Sequence, residues 1–230
     1  MAKTHGEIRQ FHDEAGEAPV RGFLHPVANS GDGIVLTHGA GANCEAQLLV
    51  ALAEAFCDAG MSVLRCDLPF RQARPHGPPM RGSAERDQAG LRGAVEEMRK
   101  IVSLRVFLGG HSYGGRQASM LAANDRGVVP ALLLLSYPLH PPKKREEMRT
   151  AHFPSLQTPA LFVSGTRDGF GTIEEFREAL KLIPARTELL AIEGAGHELM
   201  TAKNRGELPT KIASALRSFT SFRMTAFRFG

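Results

Sequence analysis

The sequence predicts an α/β fold with a mostly parallel central sheet, helices on both faces, antiparallel strands near the N-terminus and no large cap domain. Short, almost wholly apolar runs such as 131–135 and 160–164 are typical of parallel strands that are covered on both faces. These runs alternate with segments of helical periodicity. Several of them end in glycine-rich loops, and such loops share the carboxyl edge of a parallel sheet, where ligands bind.

Length and composition set the first limits on function. With 230 residues, 43% of them hydrophobic, the chain suits one domain over residues 1–230. No apolar run approaches the roughly 20 residues of a membrane span, and the first residues are polar, so we expect a cytoplasmic protein that does not bind membranes. The 28 basic residues exceed the 24 acidic ones too slightly to indicate nucleic-acid binding.

The three cysteines do not indicate a metal site. Cys44, Cys57 and Cys66 are an odd number and lack C-x-x-C spacing, which argues against a disulfide framework and against zinc. We expect reduced, partly buried thiols and no metal.

The first half of the chain contains an antiparallel pair of strands and the beginning of the parallel sheet. The predicted elements are strands 7–11, 20–25, 33–37 and 61–66 and helices 45–59 and 83–101. The loop 67–79 is rich in proline and arginine. Arg71 and Arg74 in this loop are candidates for binding a carboxylate or phosphate of a substrate, and the alternative is that both are simply solvated.

The glycine loop that follows strand 33–37 has two interpretations. Gly39-Ala40-Gly41 begins a dinucleotide fingerprint, but Cys44 occupies the third glycine position and Asp67 follows Gly39 by 28 residues instead of about 20. We therefore favour an oxyanion loop, in which the backbone N–H of Ala40 points at a reacting oxygen. No organic cofactor is expected.

The stretch 105–115, RVFLGGHSYGG, fits a nucleophile elbow. A strand at 106–108 leads into the G-x-S-x-G pattern, and 116–124 is a plausible helix after it. Ser112 is the candidate nucleophile, and the amide of Tyr113 is the second candidate oxyanion donor. Because many glycine turns precede helices without any chemistry, the pattern alone is weak.

The second half of the chain continues the sheet with strands 131–135, 160–164 and 188–192 and a closing helix from 209 to about 222. A capping box at Thr172 and Glu175 predicts another helix. Residues 136–159 contain several prolines around the helix-capable stretch KKREEMRTAH, and we expect a small lid or wall of the site there. The basic, phenylalanine-rich residues 223–230 are expected to fray or to cover an edge.

Two further loops supply the residues that a serine nucleophile requires. Asp168 follows strand 160–164, and His197 lies in a glycine-flanked loop after strand 188–192. An imidazole must take the serine proton, and a carboxylate must orient that imidazole. We assign these roles to His197 and Asp168, with Asp67 as the fallback carboxylate; a thiol nucleophile at Cys44 is disfavoured because it has no elbow.

The order Ser112, Asp168, His197 and the blocks GIVLTHGAGA, GGHSYGG, SGTRDGFG and EGAGHEL resemble the α/β-hydrolase superfamily over nearly the whole chain. The sequence is most similar to small, cap-less dienelactone-hydrolase-like proteins, but Ser112 stands where true dienelactone hydrolases have cysteine. The resemblance implies hydrolysis of an ester, thioester or amide of a small-molecule substrate through an acyl-serine, without a cofactor. The alternative is a weakly active or non-catalytic protein-binding scaffold, and an oligomer is possible.

Overall fold

An eight-stranded sheet forms the centre of the computed structural model, which describes residues 5–221, and its strand order is β1-β2-β4-β3-β5-β6-β7-β8. The strands are β1 Arg9–Asp13, β2 Val20–His25, β3 Gly33–Thr37, β4 Ser62–Asp67, β5 Val106–His111, β6 Leu132–Leu135, β7 Ala160–Gly165 and β8 Thr187–Ile192. The β1–β2 and β2–β4 pairs are antiparallel, and the pairs from β4 through to β8 are parallel. The predicted mostly parallel sheet with antiparallel N-terminal strands is confirmed.

Helices cover both faces of this sheet. They are α1 Gln47–Asp58, α2 Pro69–Ala73, α3 Ser83–Arg99, α4 Tyr113–Asn124, α5 Ile173–Leu180 and α6 Leu208–Ser221. One apolar cluster contains buried residues of α3, α4 and α5, and a second contains those of α1 and α6. Successive side chains of strand β6 point to opposite faces of the sheet. Leu132 and Leu134 belong to the first cluster, and Leu133 and Leu135 belong to the second.

The capping box predicted at the start of α5 is present. The Thr172 hydroxyl accepts a hydrogen bond from the Glu175 amide at 3.2 Å, and the Glu175 carboxylate accepts one from the Thr172 amide at 2.7 Å. These two bonds satisfy donors that the helix itself leaves free. They fix where the chain turns away from the loop that carries Asp168.

Two of the predicted loops differ in detail from the expectation. The loop after β4 contains the short helix α2, whose first residue is Pro69, a favourable position because its missing N–H has no helical partner there. In 136–159 the helix-capable stretch forms no α-helix, and the only helical turn is a 3₁₀ turn at Phe153–Ser155. Residues 143–147 are all charged and exposed, so this stretch lacks the apolar stripe that would stabilise a helix by packing.

Two other expectations concern the C-terminal tail and a membrane-spanning helix. The predicted tail 223–230 lies outside the described residues. Within residues 5–221, no helix is long and apolar enough to cross a membrane.

We predict that Gly22→Ala destabilises the protein. Gly22 pairs with Cys66 across β2 and β4, and a Cβ atom at position 22 would lie 1.9 Å from the carbonyl oxygen of Arg65. Because that obstacle is backbone, the two strands must separate, and we expect a loss of roughly 1–3 kcal/mol in the free energy of unfolding, measured by urea denaturation. In the control Gly16→Ala the nearest atom is 3.7 Å away, so an equal loss in both variants would contradict the prediction.

Candidate active site

Ser112 occupies a sharp turn between β5 and α4. Its backbone dihedrals are φ 51° and ψ −114°, a conformation that costs a non-glycine residue on the order of 1–3 kcal/mol. The turn closes because Gly110 and Gly114 touch: a Cβ atom on Gly110 would lie 2.5 Å from the carbonyl carbon of Gly114. The strained turn exposes the Ser112 side chain at the carboxyl edge of the sheet.

The structure brings Ser112, His197 and Asp168 together. His197 Nε2 lies 2.8 Å from Ser112 Oγ, and His197 Nδ1 lies 2.9 Å from Asp168 Oδ2 and 3.1 Å from Oδ1. The Asp168 side chain is fully buried, whereas that of His197 keeps 21% of its surface exposed. Since a carboxylate only accepts hydrogen bonds, the Nδ1 position carries the proton and Nε2 is left free to accept the proton of the serine.

Phe170 supports both the histidine and the aspartate, and sequence reasoning missed it. Its ring stacks on the His197 ring with centroids 4.1 Å apart, and its amide donates to Asp168 Oδ1 at 2.9 Å. The signal in the sequence was an aromatic residue two positions after the candidate carboxylate in GTRDGFG. Phe170 thus limits the rotation of the imidazole.

His111 contacts the backbone of His197 from the other side. His111 Nε2 lies 2.9 Å from the carbonyl oxygen of His197, so this nitrogen must be the donor. The pKa of His111 is lowered, mainly by burial and also by the neighbouring His197 charge. A neutral His111 therefore holds the loop of His197 without adding positive charge to the site.

The glycine loop after β3 is oriented by His38, which is completely buried. Its Nε2 accepts a hydrogen bond from the Leu68 amide at 3.1 Å, so Nδ1 carries the proton and donates to the carbonyl of Gly39 at 2.8 Å. Burial lowers the pKa of His38, which favours this neutral form. In a trans peptide the N–H points opposite to the C=O, so the Ala40 amide points away from His38.

Arg71 holds the same loop from beneath. It is only 6% exposed, and its guanidinium donates to the carbonyl oxygens of Ala40 (2.7 Å), Ala42 (2.8 Å), Arg74 (3.1 Å) and Gly77 (3.0 Å). Four of its five N–H groups are thereby used on backbone. This geometry favours a structural task for Arg71 over direct contact with a substrate, while Arg74 is exposed and remains a predicted substrate contact.

The fallback carboxylate, Asp67, is engaged elsewhere. Its Oδ1 accepts from the Cys44 amide at 2.7 Å and lies 3.5 Å from His38 Nε2, so it belongs to the glycine loop. All three cysteines are free and buried, and burial raises the pKa of the Cys44 thiol. Among residues 5–221, no group of three or more His, Cys, Asp or Glu side chains is arranged to hold a metal ion.

The side chain of Tyr113 is tied to helix α3 by a buried carboxylate. The hydroxyl donates to Asp87 Oδ2 at 2.7 Å, and the Phe70 amide donates to Asp87 Oδ1 at 3.0 Å. The Phe70 ring also packs edge-on against the Tyr113 ring, with centroids 5.6 Å apart. It is tilted against the His38 ring, with centroids 5.7 Å apart. Asp87 therefore links the elbow to the loop after β4, a contact that no sequence motif signals.

Two cavities lie beside these residues. One, of about 120 Å³, is lined by Phe70, Met80, Asp87 and neighbours that include Arg74. The other, of about 350 Å³, is lined by His38, Gly39, His111, Met200 and neighbours. Small-molecule sites are typically concave and mostly apolar with a few polar groups, as both of these cavities are.

Comparison with known proteins identifies the family and the fold. A family model described as an alpha/beta hydrolase domain matches residues 31–223. A dienelactone hydrolase from Anabaena variabilis is structurally similar, with a TM-score of 0.73, 19% identity, and 92% of this chain and 97% of that chain covered. An esterase from Pyrococcus furiosus gives a TM-score of 0.73 at 16% identity, with 94% of this chain and 91% of that chain covered.

A third similar structure is Est1E from Butyrivibrio proteoclasticus, which has also been solved with ferulic acid bound. It gives a TM-score of 0.73 at 16% identity, and the match covers 92% of this chain and 99% of that chain. At these identities the structural likenesses establish the fold alone.

We predict that Tyr113→Phe destabilises the protein more at high pH than at low pH. Burial raises the pKa of Asp87, and the hydrogen bond from Tyr113 opposes that rise, so its removal raises the pKa further. The folded state then binds the proton more tightly than the unfolded state, and stability falls as the pH rises from about 4 through the folded pKa.

The measurement is urea denaturation of wild type and Tyr113→Phe at pH 5 and pH 8. We expect a loss of roughly 1–3 kcal/mol at pH 8 and a smaller loss at pH 5. Repeating the pair in an Asp87→Asn background provides the control, because the pH dependence of the difference should disappear there. A loss of the same size at both pH values would exclude the role given to Asp87.

Proposed function

Because the chain belongs to the α/β-hydrolase family, we propose that it is a serine hydrolase that cleaves an ester, thioester or amide through an acyl-serine intermediate. The observation that carries this proposal is the 2.8 Å separation of His197 Nε2 and Ser112 Oγ, with Asp168 on the other ring nitrogen. A serine hydroxyl is a weak nucleophile unless a base accepts its proton as it attacks. His197 is in position to be that base.

The first half of the proposed reaction forms the acyl-enzyme. Ser112 Oγ attacks the substrate carbonyl while His197 Nε2 takes the hydroxyl proton, and the buried Asp168 carboxylate stabilises the resulting imidazolium. When the tetrahedral intermediate collapses, the bond to the leaving group breaks and His197 gives its proton to that group. The acyl group is then bonded to Ser112 Oγ.

The second half releases the acid. A water molecule loses a proton to His197 Nε2 and attacks the acyl carbonyl, and the proton then returns to Ser112 Oγ as the ester bond breaks. Phe170 and the backbone contact from His111 keep the His197 ring available for these four proton transfers.

The proposed oxyanion donors are the backbone amides of Ala40 and Tyr113. Tyr113 is the first residue of α4, so its N–H has no acceptor within the helix and lies at the positive end of the helix dipole. The orientation of the Gly39 carbonyl by His38 supports the Ala40 assignment. Loss of a single such donor typically costs about 100 to 1000-fold in rate.

We predict that Ser112→Ala folds normally and loses hydrolysis of activated esters by about 10⁴-fold or more. The direct measurement is labelling with a fluorescent fluorophosphonate, followed by turnover of short-chain p-nitrophenyl esters. Wild type should be labelled, and Ser112→Ala and His197→Ala should not.

The exposed residue Ser103 provides the matched control, since Ser103→Ala removes a hydroxyl from the surface and should keep full labelling. Labelling that survives Ser112→Ala would refute the assignment of the nucleophile. A well-folded wild type that is neither labelled nor active would favour the protein-binding scaffold.

Arg71 is proposed to act as a positioning residue through the loop that carries Ala40. We predict that Arg71→Gln lowers kcat by about 10 to 100-fold with little change in KM, because the lost bonds to the Ala40 and Ala42 carbonyls loosen an oxyanion donor that acts mainly in the transition state. Steady-state kinetics on one neutral ester, together with a melting curve, measures both effects.

Arg74→Gln supplies the comparison, because Arg74 is exposed in the same loop. On this neutral ester we expect Arg74→Gln to leave kcat close to the wild-type value, since an exposed arginine of this loop does not hold the Ala40 carbonyl. A larger loss of kcat in Arg74→Gln than in Arg71→Gln would reverse the two assignments.

A further inference from the structure

Arg116 lies in the first turn of α4, close to Ser112. Its amide donates to the carbonyl oxygen of Ser112 at 3.0 Å, which is the first hydrogen bond of the helix. Side chains of α-helices lean toward the helix N-terminus, so the Arg116 side chain leans toward the edge of the sheet that carries the nucleophile. Four residues of helix correspond to a rise of roughly 6 Å.

The guanidinium group of Arg116 has the Tyr137 hydroxyl as a polar neighbour and lacks a carboxylate partner among the described residues. Its Nε atom is buried and has no hydrogen-bond acceptor among residues 5–221. None of the ion pairs within the described part of the chain includes Arg116 or Arg149. Arg116 is partly buried, and a partly desolvated cation without a counter-ion gains from an anion that approaches it.

Arg149 is held beside Arg116 by the segment that follows β6. The Tyr137 hydroxyl donates to the Arg149 carbonyl at 2.7 Å, and the Arg149 amide donates to the Leu139 carbonyl at 2.7 Å. The Ser119 hydroxyl donates to the Arg116 carbonyl at 2.9 Å and lies 2.8 Å from His152 Nε2, and the His152 ring packs against Tyr137. Burial and then the charge of Arg116 lower the pKa of Arg149, so the two cations act on each other. Two like charges are thus kept close together.

The other polar groups around this pair do not supply an anion. His152 Nε2 bonds to the Ser119 hydroxyl at 2.8 Å, and burial together with the charge of Arg116 lowers the pKa of His152 to about 4, so it is neutral near pH 7. Tyr137 stays protonated because burial raises its pKa. The charge of Glu147 reaches Arg149, but Glu147 is exposed and pairs with Lys144 at 2.6 Å.

The segment that carries Arg149 also borders the candidate catalytic residues. The His140 amide donates to the Phe170 carbonyl at 3.2 Å, and Phe170 stacks on His197. Leu139 packs against Gly171, where a Cβ atom would lie 3.0 Å from its side chain. The segment that carries Arg149 therefore borders the loop of Asp168 and Phe170.

We propose that Arg116 and Arg149 bind an anionic group of the substrate, a carboxylate or a phosphate, so that the enzyme prefers esters whose acyl chain ends in a negative charge. Guanidinium groups bind both anions through paired N–H donors. The roughly 6 Å rise from Ser112 to Arg116 suits an acyl chain of a few carbons between the scissile carbonyl and the anion. This inference rests on the proposed serine hydrolase function.

The test compares two substrates of equal length, the p-nitrophenyl half-ester of adipic acid and p-nitrophenyl hexanoate, which differ in a terminal carboxylate against a methyl group. Wild type should show the higher kcat/KM on the adipate half-ester. Arg116→Gln and Arg149→Gln should each reduce that value by about 10 to 100-fold and change the hexanoate value by less than about threefold. Added salt should weaken the preference.

Arg145→Gln is the matched control, since Arg145 is an exposed arginine of the same segment whose side chain is 72% exposed. Arg145→Gln should leave kcat/KM on both esters unchanged. The inference is overturned if wild type does not prefer the adipate half-ester. It is also overturned if Arg116→Gln lowers kcat/KM equally on both esters.

A binding measurement separates this inference from the proposed function. Calorimetric titration of free adipate and of inorganic phosphate into Ser112→Ala requires no catalysis. The anion that binds more tightly shows whether the site prefers a carboxylate or a phosphate. If an anion binds to Ser112→Ala and no longer binds when Arg116→Gln is added, the anion site is supported even if no ester is cleaved. If neither anion binds, the site is refuted, whether or not wild type hydrolyses hexanoate.

Discussion

The close backbone contacts around Ser112 determine the rest of the site. A Cβ atom on Gly115 would lie 2.6 Å from the Gly110 carbonyl oxygen, and one on Gly114 would lie 2.5 Å from the carbonyl oxygen of His38. The first contact lets α4 begin directly above β5 and forces Ser112 to a positive φ. The second brings the glycine loop after β3 against the elbow. The glycines therefore set the distance between Ser112, the proposed nucleophile, and both proposed oxyanion donors.

The histidines at the carboxyl edge of the sheet differ in burial, and their roles differ accordingly. His38 and His111 are buried with lowered pKa values, so each stays neutral. His38 donates to the carbonyl of Gly39 in its own loop, and His111 donates to the carbonyl of His197 in a neighbouring loop. His197 keeps part of its ring exposed and has a buried carboxylate on Nδ1. A neutral neighbour does not repel the imidazolium that forms on His197 during the proposed reaction. Two of these histidines thus hold backbone, and the third is the proposed base.

The sequence was most informative where a residue's role depends on its immediate neighbours. The strand 33–37, the capping box at Thr172 and the elbow around Ser112 were predictable, because apolar runs, cap residues and glycine spacing act locally. Pairing of Tyr113 with Asp87 was not, since 26 residues separate them and neither belongs to a motif. The helix-capable stretch in 136–159 forms no α-helix because its charged, exposed residues 143–147 provide no apolar stripe to pack.

Arginines at this edge differ in what surrounds them, and the difference decides what each can do. The guanidinium of Arg71 meets four carbonyl oxygens, so its donors are used and it fixes backbone. Arg74, a few residues away, is exposed and its charge is screened by water. Arg116 is partly buried, and its buried Nε has no acceptor within residues 5–221. All three side chains have the same hydrogen-bonding capacity, but a partly buried cation with an unused donor gains more from an incoming anion than one that is screened by water or already bonded to backbone. That physical difference cannot be seen in the sequence, and it is the reason for proposing Arg116 as the arginine that binds a charged substrate.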